Sequence, residues 1–335
     1  MVDGVSNAMS QQFILVTGCA GFIGARTAEL LLQRGQAVLG VDNLNDYYDV
    51  RLKQHRLDGL RQHPEFQFEL LDMADQSGVQ RLFDSYPIAS VINLAARAGV
   101  RYSLINPQVY VQTNVLGSVN LMEAMRRGGI RKYVLASTSS LYAGQPMPFV
   151  ETLPVNEPIS PYAATKKAAE VMAFAYHHLF QLDVTVLRYF TVYGPAGRPD
   201  MSYFRFIRWI DQGQPVKLYG TGSQSRDFTY VDDIARGTIA GLKPLGFEII
   251  NLGGGQQPYR IMELISRIEA LLNKTAQIDR QAEHPADVTE TWADIAKAAR
   301  LLDWRPEISL DEGLRRTVAW YRDHHSWVCD LKQTD

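Results

Sequence analysis

Phe13-Ile14-Leu15-Val16-Thr17-Gly18-Cys19-Ala20-Gly21-Phe22-Ile23-Gly24 decides the fold. A short apolar run enters three glycines spaced Gly18-x-x-Gly21-x-x-Gly24, after which apolar residues recur at helical spacing as far as Leu32. Gly35 stops that helix, and residues 37–41 form a second apolar run ending in Asp42, eighteen residues beyond Gly24. Strand, glycine turn, helix, strand and acid make a βαβ unit of the dinucleotide-binding kind. The glycines allow a tight turn, close approach of a pyrophosphate to the backbone and close packing of helix on sheet, and the helix N-terminus attracts phosphate. Asp42 is placed to accept hydrogen bonds from the adenosine ribose, and its charge opposes a 2′-phosphate, which selects NAD over NADP.

The same alternation continues outward from this unit. Apolar strands are expected at 66–71, 89–94, 131–136 and 184–187, with helical patterns between them and two long helices, near 107–127 and 161–180, flanking the fifth strand. Repeated β-then-α units with apolar strands predict a doubly wound, Rossmann-like parallel sheet covered on both faces. Beyond Arg188 the rhythm breaks into loops, a helix near 201–212, a helix from Val231, a strand at 247–252 and three helical patterns near 259–272, 293–302 and 310–324. The expected division is a dinucleotide-binding domain at 9–190, to which 228–252 returns, and a smaller α/β substrate-binding domain at 191–227 and 253–330. Residues 1–8, which precede Met9, read as an expression remnant and stand outside the fold.

A chain of 335 residues is long enough for one large or two unequal domains. Its 34 basic and 36 acidic residues leave a net charge of −2 with no block of one sign, which points away from nucleic acid or a membrane surface as partner. Cys19 and Cys329 are too few for a disulfide framework or a zinc site, and no apolar run of about 18 residues is present. A cytoplasmic protein with free thiols and no metal is expected.

Pro161-Tyr162-Ala163-Ala164-Thr165-Lys166 opens the second long helix and carries the candidate chemistry. Tyr162 and Lys166 stand one turn apart on one helix face, and a cation there favours phenolate, so the pair can take a proton from an alcohol. Alone, the spacing equally describes a packed tyrosine beside a surface lysine. Ala136-Ser137-Thr138-Ser139-Ser140 ends the fifth strand at the carboxyl edge, where ligands sit in such sheets, and its hydroxyls can share the substrate proton with Tyr162. Asn93-Leu94-Ala95-Ala96-Arg97 ends the fourth strand with small residues that admit a flat ring or a diphosphate. Asp72, after the third strand, reads either as a partner of the adenine amino group or as a helix cap.

Together these residues, over essentially everything from Phe13 to about Trp320, resemble the extended short-chain dehydrogenase/reductases that epimerise or dehydrate nucleotide sugars. The resemblance implies Thr138, Tyr162 and Lys166 as the catalytic set, with Lys166 also on the nicotinamide ribose. It implies NAD held by Gly18, Gly21, Phe22, Ile23, Gly24, Asp42, Asn43, Asp72, Met73, Leu94, Ala95, Ala96 and Lys166. The 4,6-dehydratases normally carry Asp-Glu after the catalytic hydroxyl residue and UDP-xylose synthases usually keep a glutamate there, whereas this chain has Ser139 and Ser140.

The stretches 42–49, 98–103 and 188–201 are similar to those of UDP-glucuronate 4-epimerases; UDP-galactose 4-epimerases commonly have asparagine at the place of Thr191. That likeness implies a UDP-sugar substrate contacted by Arg97, Ser139, Ser140, Thr191, Arg198, Tyr219, Arg226 and Asp287. Thr191, Ser139, Ser140 and Arg198 could hold a C6 carboxylate by charge-assisted hydrogen bonds; the competing reading of Arg198 is a loop arginine on a neighbouring acid. Arg226 matches the diphosphate-binding arginine, Tyr219 and Lys217 are placed to pack on uracil, and Asp287 to bond the uridine ribose. The expected activity is C4 epimerisation of UDP-glucuronate through a 4-keto intermediate, with UDP-glucose/galactose epimerase, decarboxylase or dehydratase as alternatives. The two helices flanking the fifth strand imply a homodimer by the same likeness.

Overall fold

The computed structural model describes residues 11–256, 258–282 and 290–332; residues 1–8, Met9 and Asp287 lie outside them. The first part of the chain runs β1 (Phe13–Thr17), α1 (Phe22–Gln33), β2 (Val38–Asp42), α2 (Val50–Leu60), β3 (Phe66–Leu70), α3 (Gln76–Ser85) and β4 (Ile88–Asn93). Next come α4 (Val100–Ile105), α5 (Pro107–Tyr110), a π-helical turn (Val111–Leu116), α6 (Gly117–Gly128), β5 (Lys132–Thr138), a 3₁₀ turn (Ser139–Tyr142), α7 (Pro161–Phe180) and β6 (Asp183–Tyr189). The remainder is β7 (Thr191–Tyr193), α8 (Ser202–Asp211), β8 (Val216–Tyr219), β9 (Ser225–Arg226), β10 (Phe228–Tyr230), α9 (Val231–Ala240), β11 (Phe247–Leu252), β12 (Tyr259–Arg260), α10 (Ile261–Leu272), β13 (Ile278–Gln281), α11 (Ala296–Leu302), α12 (Leu310–Asp323) and α13 (His325–Val328).

Seven strands form one sheet in the order β11-β6-β5-β4-β1-β2-β3, every pairing parallel. The order reverses between β1 and β4, so the crevice beyond their carboxyl ends is the natural ligand position. The five inner strands are largely buried because helices cover both faces of the sheet: α3, α6 and α7 share one apolar cluster, and α1, α2 and α9 belong to another. That second cluster runs on without interruption into α8, α10 and α12, so the C-terminal helices share a core with the sheet. Short ladders stitch the C-terminal part together, β7 with β10, β9 with β12 and β8 with β13.

Local chemistry sets the elements that matter for the site. Ser160 starts α7 by accepting from Ala163 N, with Pro161 at the first helical position, which aims Tyr162 into the crevice end of the helix. The helix expected near 107–127 is interrupted by the π turn, and that bulge turns the buried Asn114 toward β4 and α7. Its amide donates to Arg97 O and Thr165 Oγ1, both at 3.0 Å, and its oxygen accepts from Arg97 N at 2.9 Å.

Candidate active site

The glycine loop is shaped first by its own packing. Gly18 has φ +69°, and a Cβ there would meet the backbone of Leu94 and Ala95 at 2.8–2.9 Å; at Gly24 it would lie 2.0 Å from Gly18 O. Both positions therefore demand glycine before any ligand is considered. Helix α1 has no capping side chain, and its first residues, Phe22, Ile23 and Gly24, line a cavity of about 460 Å³ with Gly18 and Gly21. Free N–H groups at the start of a twelve-residue helix, opening into a cavity, fit a pyrophosphate.

Asp42, Asn43, Asp72, Met73, Leu94, Ala95 and Ala96 line the same cavity. Asp42 accepts from Ala20 N at 3.2 Å and Leu44 N at 2.8 Å, and buried Lys53 of α2 stands 3.8 Å from it. Burial lowers the Lys53 ammonium to about 8 against the pull of Asp42. Asp72 accepts from Asn43 Nδ2 and Ala74 N, both at 2.8 Å; it does not cap a helix, because Asp75 does so by accepting from Gly78 N.

Beyond the glycine loop the cavity is lined by Thr138, Ser139, Ser140, Tyr162 and Lys166, then by Arg97, Thr191, Arg198 and Arg226. Strand β5 is laced to one face of α7 through two successive residues. Lys166 Nζ donates to Ala136 O at 3.0 Å and Ser137 Oγ donates to Glu170 at 2.6 Å, while the Thr138 hydroxyl donates to Ser140 Oγ at 3.1 Å. Tyr162, Lys166 and Glu170 are four residues apart, so the helical repeat presents all three to the strand end.

Tyr162 and Lys166 have different surroundings at the strand end. The Lys166 ammonium is turned to a backbone carbonyl, and burial lowers it to about 8 although Glu170 pulls it upward. Burial pushes the Tyr162 phenol up, offset in part by the Thr138 hydrogen bond and by Arg198.

Arg198 carries a forked ion pair with Asp200, Nε donating to Oδ1 at 3.0 Å and Nη2 to Oδ2. The alternative of an arginine on a neighbouring acid therefore holds in this conformation. Tyr47 lies between two guanidinium groups, Arg97 at 5.6 Å and Arg198 at 5.7 Å from its ring centre. Tyr47, Tyr102, Tyr110 and Tyr162 follow one another as edge or tilted contacts toward the catalytic phenol.

A second cavity of about 320 Å³ adjoins the first through Tyr47, Thr191, Asp200 and Arg226, and contains Tyr219 and Lys217. There the Arg101 guanidinium covers the Tyr219 ring at 4.2 Å, where a base was expected. Sequence reasoning missed Lys53, Tyr47, Asn114 and Asp200. Asp200, two residues from Arg198 in an acidic-basic pair, was the one that local spacing could have revealed.

A parallel sheet with a switch-point crevice, a glycine loop and a Thr-Tyr-Lys set at the end of β5 defines the short-chain dehydrogenase/reductase class. Within it the sequence pattern of the family described as GDP-mannose 4,6 dehydratase matches residues 15–317, and the chain belongs to that family. A UDP-glucuronate 4-epimerase of Thermodesulfobacterium geofontis is 57% identical over 320 residues, covering 96% of this chain and 99% of that protein. The Bacillus cereus UDP-glucuronic acid 4-epimerase, solved with UDP-glucuronic acid and NAD, is 36% identical with a TM-score of 0.88, covering 93% of this chain and 100% of the other. The Thermus thermophilus UDP-glucose 4-epimerase, solved with NAD, is 32% identical with a TM-score of 0.83, over 93% and 99% of the two chains.

Proposed function

We propose that this chain is an NAD-dependent 4-epimerase of a UDP-sugar, and that the sugar is glucuronate, converted to galacturonate. The observation that carries the reading is one cavity lined by the glycine loop, by Thr138, Tyr162 and Lys166, and by Arg226, which also lines the adjoining second cavity. The relatives named for UDP-glucuronate support the sugar assignment. NAD, when bound, takes the C4 hydrogen as hydride and returns it.

In this reading Gly18 to Gly24 hold the pyrophosphate, Asp42 the adenosine ribose and Lys166 the nicotinamide ribose. Tyr162 as phenolate, paired with Lys166 one turn along α7, removes the 4-hydroxyl proton with Thr138 bonded to the same oxygen, and later gives it back. Arg226 keeps the diphosphate in place while the 4-keto sugar turns over to present its opposite face. A 4-keto uronate is a β-keto acid and loses carbon dioxide readily, so Thr191, Ser139, Ser140 and Arg198 restrain its carboxylate. No carboxylate side chain follows Thr138, which removes the acid that a dehydratase needs. Residues 9–190 with 228–252 would then serve the dinucleotide, and 191–227 with 253–330 the nucleotide sugar, including Asp287.

The Arg198–Asp200 pair favours a second reading, a neutral UDP-hexose substrate, because an internal carboxylate already occupies the fork. Incubation with UDP-glucuronate and, separately, UDP-glucose, with products analysed by proton NMR and mass spectrometry, separates the two. A product of unchanged mass with galacto C4 coupling from the uronate alone supports the first reading. Turnover of UDP-glucose alone supports the second, and a product lighter by carbon dioxide refutes both.

The assembly that fits is a cytoplasmic homodimer. Val111 and Leu116 of the π turn and Val171 and Phe174 of the adjacent α7 are large apolar side chains left exposed. No helix among the described residues is long and apolar enough to cross a membrane. Cys19 and Cys329 are free thiols.

A further inference from the structure

Arg56 of α2 is buried, and all three of its guanidinium nitrogens are engaged by groups from three separate stretches of chain. Nε and Nη2 donate to Ala196 O at 2.9 and 2.6 Å, and Nη2 also to Gly197 O at 3.2 Å. Nη1 donates to Ala20 O of the glycine loop at 3.0 Å and to the Tyr48 hydroxyl at 2.7 Å. Ala196 is held at φ +51°, a left-handed conformation that a residue with a Cβ adopts only when its surroundings impose it. The very next residues are Gly197 and Arg198. Nothing in the proposed chemistry uses Arg56, yet it lies behind the backbone from which Arg198 projects.

We propose that Arg56 is a positioning residue for substrate choice: it clamps the Ala196–Gly197 backbone to the glycine loop and so holds Arg198 where it can meet a sugar carboxylate. This rests on the reading of Arg198 as the carboxylate ligand. A planar fork is required, because one ammonium cannot reach Ala196 O, Gly197 O, Ala20 O and Tyr48 together. Tyr47 supports the same loop from the sugar side, its ring 5.7 Å from Arg198, while the neighbouring Tyr48 hydroxyl accepts from Arg56. Asp42, which accepts from Ala20 N, extends the chain of contacts to the dinucleotide end, so the two ends of the cavity share one rigid support.

The test is a double-mutant cycle on NAD-loaded protein. Preference is measured as the inhibition constant of UDP-glucose divided by KM for UDP-glucuronate, with kcat followed separately, for the parent, Arg56→Met, Arg198→Met and the double variant. Arg56→Met is expected to lower the preference about tenfold, the double variant to fall no further than Arg198→Met alone, and Arg56→Lys to give no rescue. If Arg198→Met leaves the preference unchanged, the carboxylate reading itself fails. If Arg198→Met lowers it but Arg56→Met does not, or if the two losses add fully, Arg56 is structural only and the inference is overturned. Should Arg56→Met not fold, Tyr48→Phe removes one acceptor and is expected to lower the preference about twofold to threefold; an unchanged preference there also overturns it.

Discussion

Glu170→Gln strikes one half of a deeply buried ion pair. Glu170 and Arg188 have side chains only 2% and 1% exposed, and they meet in a fork of 2.9 and 2.7 Å. The same carboxylate accepts from Ser137 at 2.6 Å, and Arg188 Nη1 donates to the Tyr142 hydroxyl at 2.8 Å. Glutamine keeps the shape and removes the charge, so the guanidinium is left in the interior with no counter-ion. Breaking a buried pair from one side costs roughly 3–5 kcal/mol, far more than the 0–1 kcal/mol of an exposed pair. At roughly 1.4 °C per kcal/mol for a chain of this size, thermal unfolding followed by circular dichroism should fall by about 4–7 °C. Glu170→Leu combined with Arg188→Met should recover most of that loss, because the desolvation penalty disappears with both charges. A single variant that melts within roughly 1 °C of the parent would show that water or a rearranged neighbour already neutralises Arg188, and that the pair does not anchor β5 to α7.

Three further outcomes are expected. Tyr162→Phe should retain NAD, seen by its absorbance after gel filtration, and lose turnover by at least about a hundredfold; near-normal turnover would remove Tyr162 from the chemistry. Lys166→Met should stabilise the NAD-free protein at pH 7, by at most about 3 kcal/mol, since burial holds the ammonium at about 8 rather than 10.5. Between those two pH values the unfolded chain binds a proton that the folded chain has lost, so wild-type stability rises with pH and the advantage of methionine fades; an advantage independent of pH from 7 to 10.5 contradicts the assignment. Phe174→Asp with Val171→Asp should convert a dimer to a monomer in analytical ultracentrifugation, and an unchanged sedimentation coefficient would place any interface elsewhere.

The parts of this molecule that could be read from the sequence are those whose meaning lies within one helical turn or one strand-turn-helix unit. Gly18 to Gly24 with Asp42, and Tyr162 with Lys166, are local patterns, and the sheet follows from the repetition of such units. What escaped depends on partners distant in the chain. Lys53 faces Asp42 only because α2 packs across the end of β2, Arg56 meets Ala196 across 140 residues, and Asn114 is aimed by a π turn that no periodicity announces. The Tyr162–Lys166 spacing correctly placed both groups on one helix face. It could not reveal that the ammonium donates to the Ala136 carbonyl, because side-chain direction is set by the tertiary neighbours.

The most direct test of the central claim is the fate of a label at C4. UDP-glucuronate deuterated at C4, incubated with the protein in ordinary water, should give UDP-galacturonate of unchanged mass that retains the deuterium at C4, because the same hydrogen leaves one face and returns to the other. Loss of the label to solvent, or a product lighter by carbon dioxide, would contradict the account of a protected 4-keto intermediate held between Tyr162, Arg198 and Arg226.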